Sequence, residues 1–257
     1  MTRGLGFLPD PPEVVEAQTT AYHARELYGA QVGLPSVFSW RAYVETVPDQ
    51  MSTSSCVGQA FANALHLHGL VRGEAMPRPS AKAIYDFARM LDTGITHPLF
   101  DGGSRPSMAL NGMRDYGLVA EDRWPLTEAN VNDKPAWDVF RHAMAATLDQ
   151  HYRIASGRGA GQLIREALAS RYLPVFAMDV DRAFMDHDGR DVYRGLTGPV
   201  VGRHMQAIVG WDGQRFEVLG SWGTGWADGG FVMLSEDFIE SAACDSFIVP
   251  CLSPVVS

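Results

Sequence analysis

The sequence is poor in cysteine, and this shortage excludes several classes of protein. Only three cysteines occur among the 257 residues, at positions 56, 244 and 251. An odd and scattered set of this kind is not a disulfide framework, and no zinc-type spacing of cysteine and histidine is present. We therefore expect no cofactor and no metal, and the cysteine usage is typical of a reducing compartment.

Positive charge and long apolar runs are also scarce. Lys and Arg number 21 against 30 Asp and Glu, a formal net charge of -9, which argues against nucleic acid or an anionic membrane as the main partner. No apolar run approaches the length of a membrane span, and the N-terminus lacks the apolar core and cleavage site of a secretory signal. These absences together predict a cytoplasmic protein.

One acidic run, residues 186–191, invites a calcium interpretation. Its glycine is misplaced for an EF-hand loop, and no glutamate follows at the required spacing. Acidic glycine-containing runs of this kind are usually solvated turns, so we expect no metal there.

The periodicity of apolar residues changes along the chain. Residues 1–33 form an extension, with a proline cluster and a short helical pattern over 14–27. Helical patterns then follow, over 56–70, 80–92, 106–116, 136–148 and 160–170. Later segments are typical of strands: 174–180, 205–211, 215–219 and 230–234. A helical first half and a β-rich second half predict an α+β domain over residues 34–257, with a helical lobe over about 34–135 and a β lobe over about 136–257.

The first chemically suggestive residue is Cys56. A polar, turn-prone run precedes it, and the helical pattern that follows places its sulfur at a helix N-terminus, with Ser54 or Ser55 as a cap. The helix dipole there favours a thiolate, which is the nucleophilic form of cysteine. The alternative is a small buried side chain on a core helix, because free cysteine is often fully buried.

A cysteine nucleophile needs a general base, usually histidine, and His204 is the most distinctive of the eight histidines. It opens the apolar strand pattern that ends at Trp211. The segment 220–231 follows, and its two tryptophans and several glycines are hard to explain by core packing alone.

These features resemble the papain-like cysteine peptidases, in which a glutamine lies six residues before the nucleophile, as Gln50 does before Cys56. In that family a histidine opens an apolar strand, and an Asn-Ser-Trp-Gly segment follows it. The separation of 148 residues between Cys56 and His204 falls within the family's range. Weaker matches extend the resemblance over about residues 34–235, and details around Cys56 are closer to bacterial or phage members.

The resemblance implies a two-lobe α+β fold, with a helical N-terminal lobe, a β-barrel-like C-terminal lobe and the site in the cleft between them. Cys56 and His204 would be the catalytic pair, and Gln50 with the Cys56 backbone N–H would hold the oxyanion. Trp222 would shield the histidine. Gly102 and Gly103 would let a peptide or protein substrate approach the backbone. A phage-encoded chain would lie in the virion.

One departure affects the chemistry directly. The family's third catalytic residue is an asparagine that orients the histidine, and Gly220 stands at that position, 16 residues after His204. Ser221, a water or a backbone carbonyl would have to take over the role, so we expect weakened peptidase activity. The alternative function is a catalytically degraded papain-like domain that binds a peptide or serves as a structural component.

The extension also has two interpretations. Residues 1–33 are short for a folded prodomain, which favours a segment that packs along the lobes. The alternative is an inhibitory segment that lies in the cleft.

Overall fold

The computed structural model describes residues 3–21, 23–74, 76–143 and 147–252. Its helices are α1 (Pro12–Ala21), α2 (Arg25–Tyr28), α3 (Cys56–Arg72), α4 (Ala81–Thr93), α5 (Pro106–Asp115), α6 (Trp137–Ala143), α7 (Ala160–Ala169), α8 (Arg182–Met185) and α9 (Glu236–Ile239). Its strands are β1 (Val37–Ser39), β2 (Leu148–Arg153), β3 (Val175–Val180), β4 (Gly202–Asp212), β5 (Arg215–Leu219), β6 (Phe231–Ser235) and β7 (Cys244–Leu252).

The helices predicted from apolar periodicity form with small changes at their ends. Helix α3 begins at Cys56, and Gly73 ends it in a left-handed conformation with φ of 76°. No serine side chain caps α3, contrary to the prediction, whereas Ser80 does cap α4 by accepting a hydrogen bond from the Ala83 N–H at 2.9 Å. The helix predicted over 136–148 is wrong at its end: α6 stops at Ala143, residues 144–146 lie outside the described ranges, and β2 begins at Leu148.

The strands form one antiparallel sheet of order β2-β7-β3-β4-β5-β6, and β1 also pairs with β4. The four predicted strands are present as β3, β4, β5 and β6, and the predicted turn at Asp212-Gly213 joins β4 to β5. Strands β1, β2 and β7 were not predicted. Strand β4 is buried from His204 to Trp211, because it pairs with strands on both edges and α3 packs against it.

Helix α3 connects the two layers, because it packs against α4 on one side and against β4 on the other. It is buried along most of its length, as its near-uniform apolar composition requires. This central position brings the first residue of α3 beside the start of β4, where the two lobes of the α+β fold meet. In the described ranges no helix is long and apolar enough to cross a membrane, and no group of three or more acidic, histidine or cysteine side chains is placed to hold a metal ion.

Candidate active site

The fold brings Cys56 and His204 to the same place. Cys56 is the first residue of α3, His204 is the third residue of β4, and both side chains are fully buried. The backbone of Met205, the residue after His204, lies close enough to the Cys56 sulfur to lower the pKa of the thiol, which places the thiol against this end of β4. Neither ring nitrogen of His204 has a hydrogen-bond partner among the described residues, so the thiol and the imidazole are neighbours that are not hydrogen-bonded.

Burial sets the protonation of both groups. It raises the pKa of Cys56 to about 11, and backbone hydrogen bonds with Met205, Gly6 and Val57 offset only part of this rise. Burial also lowers the pKa of His204 to about 3. The expectation of a thiolate at the helix N-terminus is therefore wrong for the buried Cys56 of this structure, because desolvation of the sulfur outweighs the helix dipole. The pair is a neutral thiol beside a neutral imidazole.

Gln50 lies on the loop before α3 and is fully buried. Its Oε1 accepts a hydrogen bond from the Ser221 hydroxyl at 2.6 Å, and its backbone N–H donates to the Ser221 carbonyl at 2.8 Å. The hydrogen bond from Ser221 therefore fixes the orientation of the Gln50 amide. Its Nε2 donates to the carbonyls of Thr53 at 2.7 Å and Gly4 at 3.1 Å. Ser221 thus orients Gln50, and the sequence-based idea that it orients His204 is wrong.

Trp222 covers the histidine. Its indole stacks on the His204 ring, with ring centroids 4.3 Å apart and planes inclined by 18°. Trp226 packs edge-on against Trp222 at 4.9 Å. A Cβ at Gly220 would lie 2.5 Å from the Trp226 ring, so this site has no room for a side chain where the family carries its asparagine.

Residues 3–10, which we call the N-terminal strap, run through this site. The Gly4 carbonyl accepts the hydrogen bond from Gln50 and another from the Trp222 indole N–H at 3.2 Å. Two residues further on, the backbone of Gly6 lies close enough to the Cys56 sulfur to lower the pKa of the thiol. The strap therefore lies in the cleft rather than only along the lobes, whereas α1 continues the extension toward β2.

The two strap glycines are required by this close approach. A Cβ at Gly4 would lie 1.8 Å from the Thr53 carbonyl oxygen, and a Cβ at Gly6 would lie 1.9 Å from the Ser54 carbonyl oxygen. Real Cβ atoms do not approach backbone oxygens so closely. The alternation of glycine with Leu5 and Phe7 was the sequence signal for an extended segment pressed against other backbone, and sequence reasoning missed it.

The far wall of the cleft binds the strap through Ser104. Its N–H donates to the Gly6 carbonyl at 2.9 Å, and its carbonyl accepts from the Leu8 N–H at 3.0 Å. Gly103 allows the close approach of the strap, because a Cβ there would lie 2.4 Å from the Gly6 oxygen. A Cβ at Gly102 would meet no atom of the described residues within 4 Å, so Gly102 has no comparable contact.

One carboxylate joins this wall to the loop that carries Cys56. Asp101 Oδ1 accepts hydrogen bonds from the Ser54 N–H and from the Tyr85 hydroxyl, both at 2.8 Å. The Tyr85 oxygen in turn accepts from the Gly103 N–H at 3.0 Å. This chain of bonds fixes the distance between the loop before Cys56 and the backbone of Gly103 and Ser104 that binds the strap.

Both ends of the strap are anchored by charge. Arg3 donates to the Met185 carbonyl at 2.5 Å, lies 3.8 Å from Asp186 and sits 5.7 Å from the centre of the Trp222 ring. At the other end, buried Asp10 pairs with buried Arg153 at 3.0 Å and accepts from the Ser107 N–H in the first turn of α5. The strap is therefore fixed on both sides of Cys56.

Comparison with solved structures places this geometry in a known fold. Xylellain, a cysteine protease from Xylella fastidiosa, aligns with a TM-score of 0.81 over 97% of this chain and 96% of its own, at 19% identity. The fold is that of the papain-like cysteine proteases. Procathepsin B S9 from Trypanosoma congolense aligns with a TM-score of 0.70 at 15% identity, covering 99% of this chain and 87% of its own. Bromelain from Ananas comosus aligns with a TM-score of 0.66 at 17% identity, covering 86% and 100%.

These similarities are structural. No protein-family model and no curated protein matches this sequence. The papain-like two-lobe fold predicted from the resemblance is thus confirmed, and the neighbours are cysteine proteases.

Proposed function

We propose that this chain is a papain-like cysteine peptidase that hydrolyses peptide or isopeptide bonds through an acyl-enzyme on Cys56. The observation that carries the proposal is the Gln50 amide, whose Nε2 donates to the Gly4 carbonyl beside Cys56 and His204. A buried side-chain donor, held by Ser221 and aimed at a peptide carbonyl next to a thiol, is the arrangement that acyl transfer requires.

The proposed reaction follows from these groups. His204 takes the proton of Cys56, and the thiolate attacks the substrate carbonyl carbon while Gln50 and the Cys56 N–H stabilise the oxyanion. The C–N bond then breaks as His204 gives its proton to the leaving amine. Water, deprotonated by His204, hydrolyses the resulting thioester and releases the thiol.

In this proposal the strap inhibits the reaction. It fills the position of a substrate carbonyl at Gln50, and its cover desolvates the pair, so that Cys56 stays a thiol and His204 stays neutral. Displacement of the strap readmits water, which lowers the thiol pKa and raises the imidazole pKa toward values at which an ion pair forms. We therefore expect the full-length chain to be a weak peptidase until the strap leaves the cleft.

The test is labelling of the full-length chain with a thiol-directed peptidyl epoxide, followed by mass spectrometry of each cysteine. Cys244 and Cys251 are buried thiols with raised pKa values and serve as internal controls. We expect Cys56 to be labelled fastest, and His204→Ala to slow Cys56 alone. Labelling of Cys56 no faster than of the other two cysteines would remove the peptidase proposal.

The second candidate is a peptide-binding domain without catalysis. Two observations favour it: neither His204 nitrogen has a hydrogen-bond partner in the part of the chain that the structure describes, and Trp226 closes the space over Gly220. A binder would retain a peptide of the strap sequence after Cys56→Ala and would show no covalent adduct in the wild type. A pure binder, however, has no use for the Gln50–Ser221 hydrogen bond beside a thiol.

A further inference from the structure

Among the described residues, several buried polar atoms without a hydrogen-bond partner lie in the two segments that pack together at the site. They are both ring nitrogens of His204, the Oε1 of Gln206 and the indole N–H of Trp226. Native proteins pair nearly all buried polar groups, so a set of unpaired donors and acceptors in one place calls for an explanation. The Gln206 Oε1 is the amide oxygen of this set, an atom that can accept a hydrogen bond and cannot donate one.

Gln206 lies two residues after His204 on β4, so the two side chains project from the same face of the sheet. Two residues of a strand span about 6.6 Å, a distance that a glutamine side chain and an imidazole bridge between them. The Gln206 amide already leans in this direction. Its Nε2 contacts the Met178 sulfur at 3.3 Å, and Met178 is the residue directly opposite His204 on β3.

The same place is where the family's asparagine would act. Ala207 pairs with Leu219 in the register of β4 and β5. Continuing that register by one residue sets Gly220 opposite Gln206, and opposite residues of an antiparallel pair share a face. Trp226 fills the space that a side chain at 220 would need. A carboxamide is thus missing from one strand position and present at its cross-strand neighbour.

We propose that Gln206 is the positioning residue for His204, its carboxamide oxygen accepting the ring N–H that does not face Cys56. This inference rests on the proposed function, since it assigns the third member of the same site. The terminal torsion of glutamine is broad, so rotating the carboxamide to bring Oε1 toward the imidazole, in place of the Nε2 that contacts Met178, costs little free energy. The bond fixes the tautomer in which the other ring nitrogen is free to take the Cys56 proton, as the orienting residue of a catalytic triad does.

The experiment is NMR of the imidazole rings in full-length protein labelled with ¹⁵N-histidine, with the His204 signals assigned through His204→Ala. The wild type is expected to show one His204 tautomer with a ring N–H protected from exchange. Gln206→Leu should mix the tautomers and lose the protection. Gln206→Glu should keep both, because a carboxylate also accepts the N–H. Met178→Leu is the matched control, since it removes the sulfur contact of the Gln206 amide and leaves Oε1 in place.

Alkylation kinetics of Cys56 give the second readout. Gln206→Leu should slow the labelling of Cys56 by a peptidyl epoxide about a hundredfold, the lower end of what a positioned general base contributes. The loss should appear in the rate constant at saturation and not in the half-saturating concentration. Gln206→Met preserves side-chain volume and replaces leucine if that variant unfolds. Unchanged NMR signals and rates in Gln206→Leu, or equal losses in Gln206→Leu and Gln206→Glu, would overturn the inference. A wild-type Cys56 that does not label selectively would instead remove the proposed function, while the NMR arm would still decide the role of Gln206.

Discussion

The strap can be expelled by a single methyl group. In Gly6→Ala the new Cβ would lie 1.9 Å from the Ser54 carbonyl oxygen and 2.4 Å from its carbonyl carbon, both backbone atoms that cannot move aside. The strap must leave at this point and lose the Ser104 to Gly6 and Leu8 to Ser104 hydrogen bonds. At about 1 kcal/mol net for each bond, the closed state loses about 2 kcal/mol. The population with Cys56 open then rises roughly thirtyfold, since 1.4 kcal/mol is a factor of ten.

The assay is the pseudo-first-order rate of Cys56 alkylation by iodoacetamide, a reagent too small to need the peptide subsites, measured by mass spectrometry at each cysteine. Gly198→Ala is the matched control, because a Cβ at Gly198 meets no atom of the described residues within 4 Å. The rate at Cys56 should rise roughly thirtyfold in Gly6→Ala and stay at the wild-type value in Gly198→Ala. Equal rates at Cys56 in Gly6→Ala and wild type would show that the strap does not close the site.

Three further results are expected. Gly220→Asn should lower the free energy of unfolding by about 1–3 kcal/mol, measured by urea unfolding, because its Cβ would lie 2.5 Å from the Trp226 ring; a stable and more active variant would contradict the account of the crowded site. The pKa of His204 is about 3 in the folded chain against an ordinary value near 6.5, so its contribution to the free energy of unfolding is fully present above pH 6.5 and falls by about 1.4 kcal/mol per pH unit between these values. His204→Leu should remove this contribution to the pH dependence of unfolding, and an unchanged pH dependence would refute the burial of a neutral His204. Asp10→Ala leaves buried Arg153 without its carboxylate and should cost about 3–5 kcal/mol while speeding Cys56 alkylation; wild-type stability together with wild-type labelling would show that the ion pair does not anchor the strap.

The parts of the fold that were predictable have strong local periodicity. The spacing of apolar residues located α3, α4 and α5, and alternation with a glycine turn located the β4–β5 hairpin. Strand β7 was missed because Asp245, Ser246 and Pro250 interrupt its apolar pattern, although it lies in the middle of the sheet. Strand β2 is polar, and apart from Leu148, the last residue of the helix predicted over 136–148, it lies where no element was predicted.

For the site, the sequence located the residues but not their surroundings. The resemblance to papain-like peptidases, and not spacing alone, is what predicted that Gln50, Cys56 and His204 lie together. The effect of the strap on Cys56 was not visible, because desolvation depends on a contact between residues about 50 positions apart in sequence. The loss of space at Gly220 depends on the Trp226 ring in the same way.

A covalent intermediate on Cys56 tests the central claim most directly. The Gly6→Ala chain is mixed with an activated peptide ester at mildly acidic pH, quenched within seconds and analysed by intact mass and peptide mapping. The account predicts a transient acyl adduct on Cys56 that decays as free acid is released, and that is missing from Cys56→Ala. An open cleft in which the ester leaves no adduct on Cys56, or an equal adduct on Cys244 or Cys251, would contradict it.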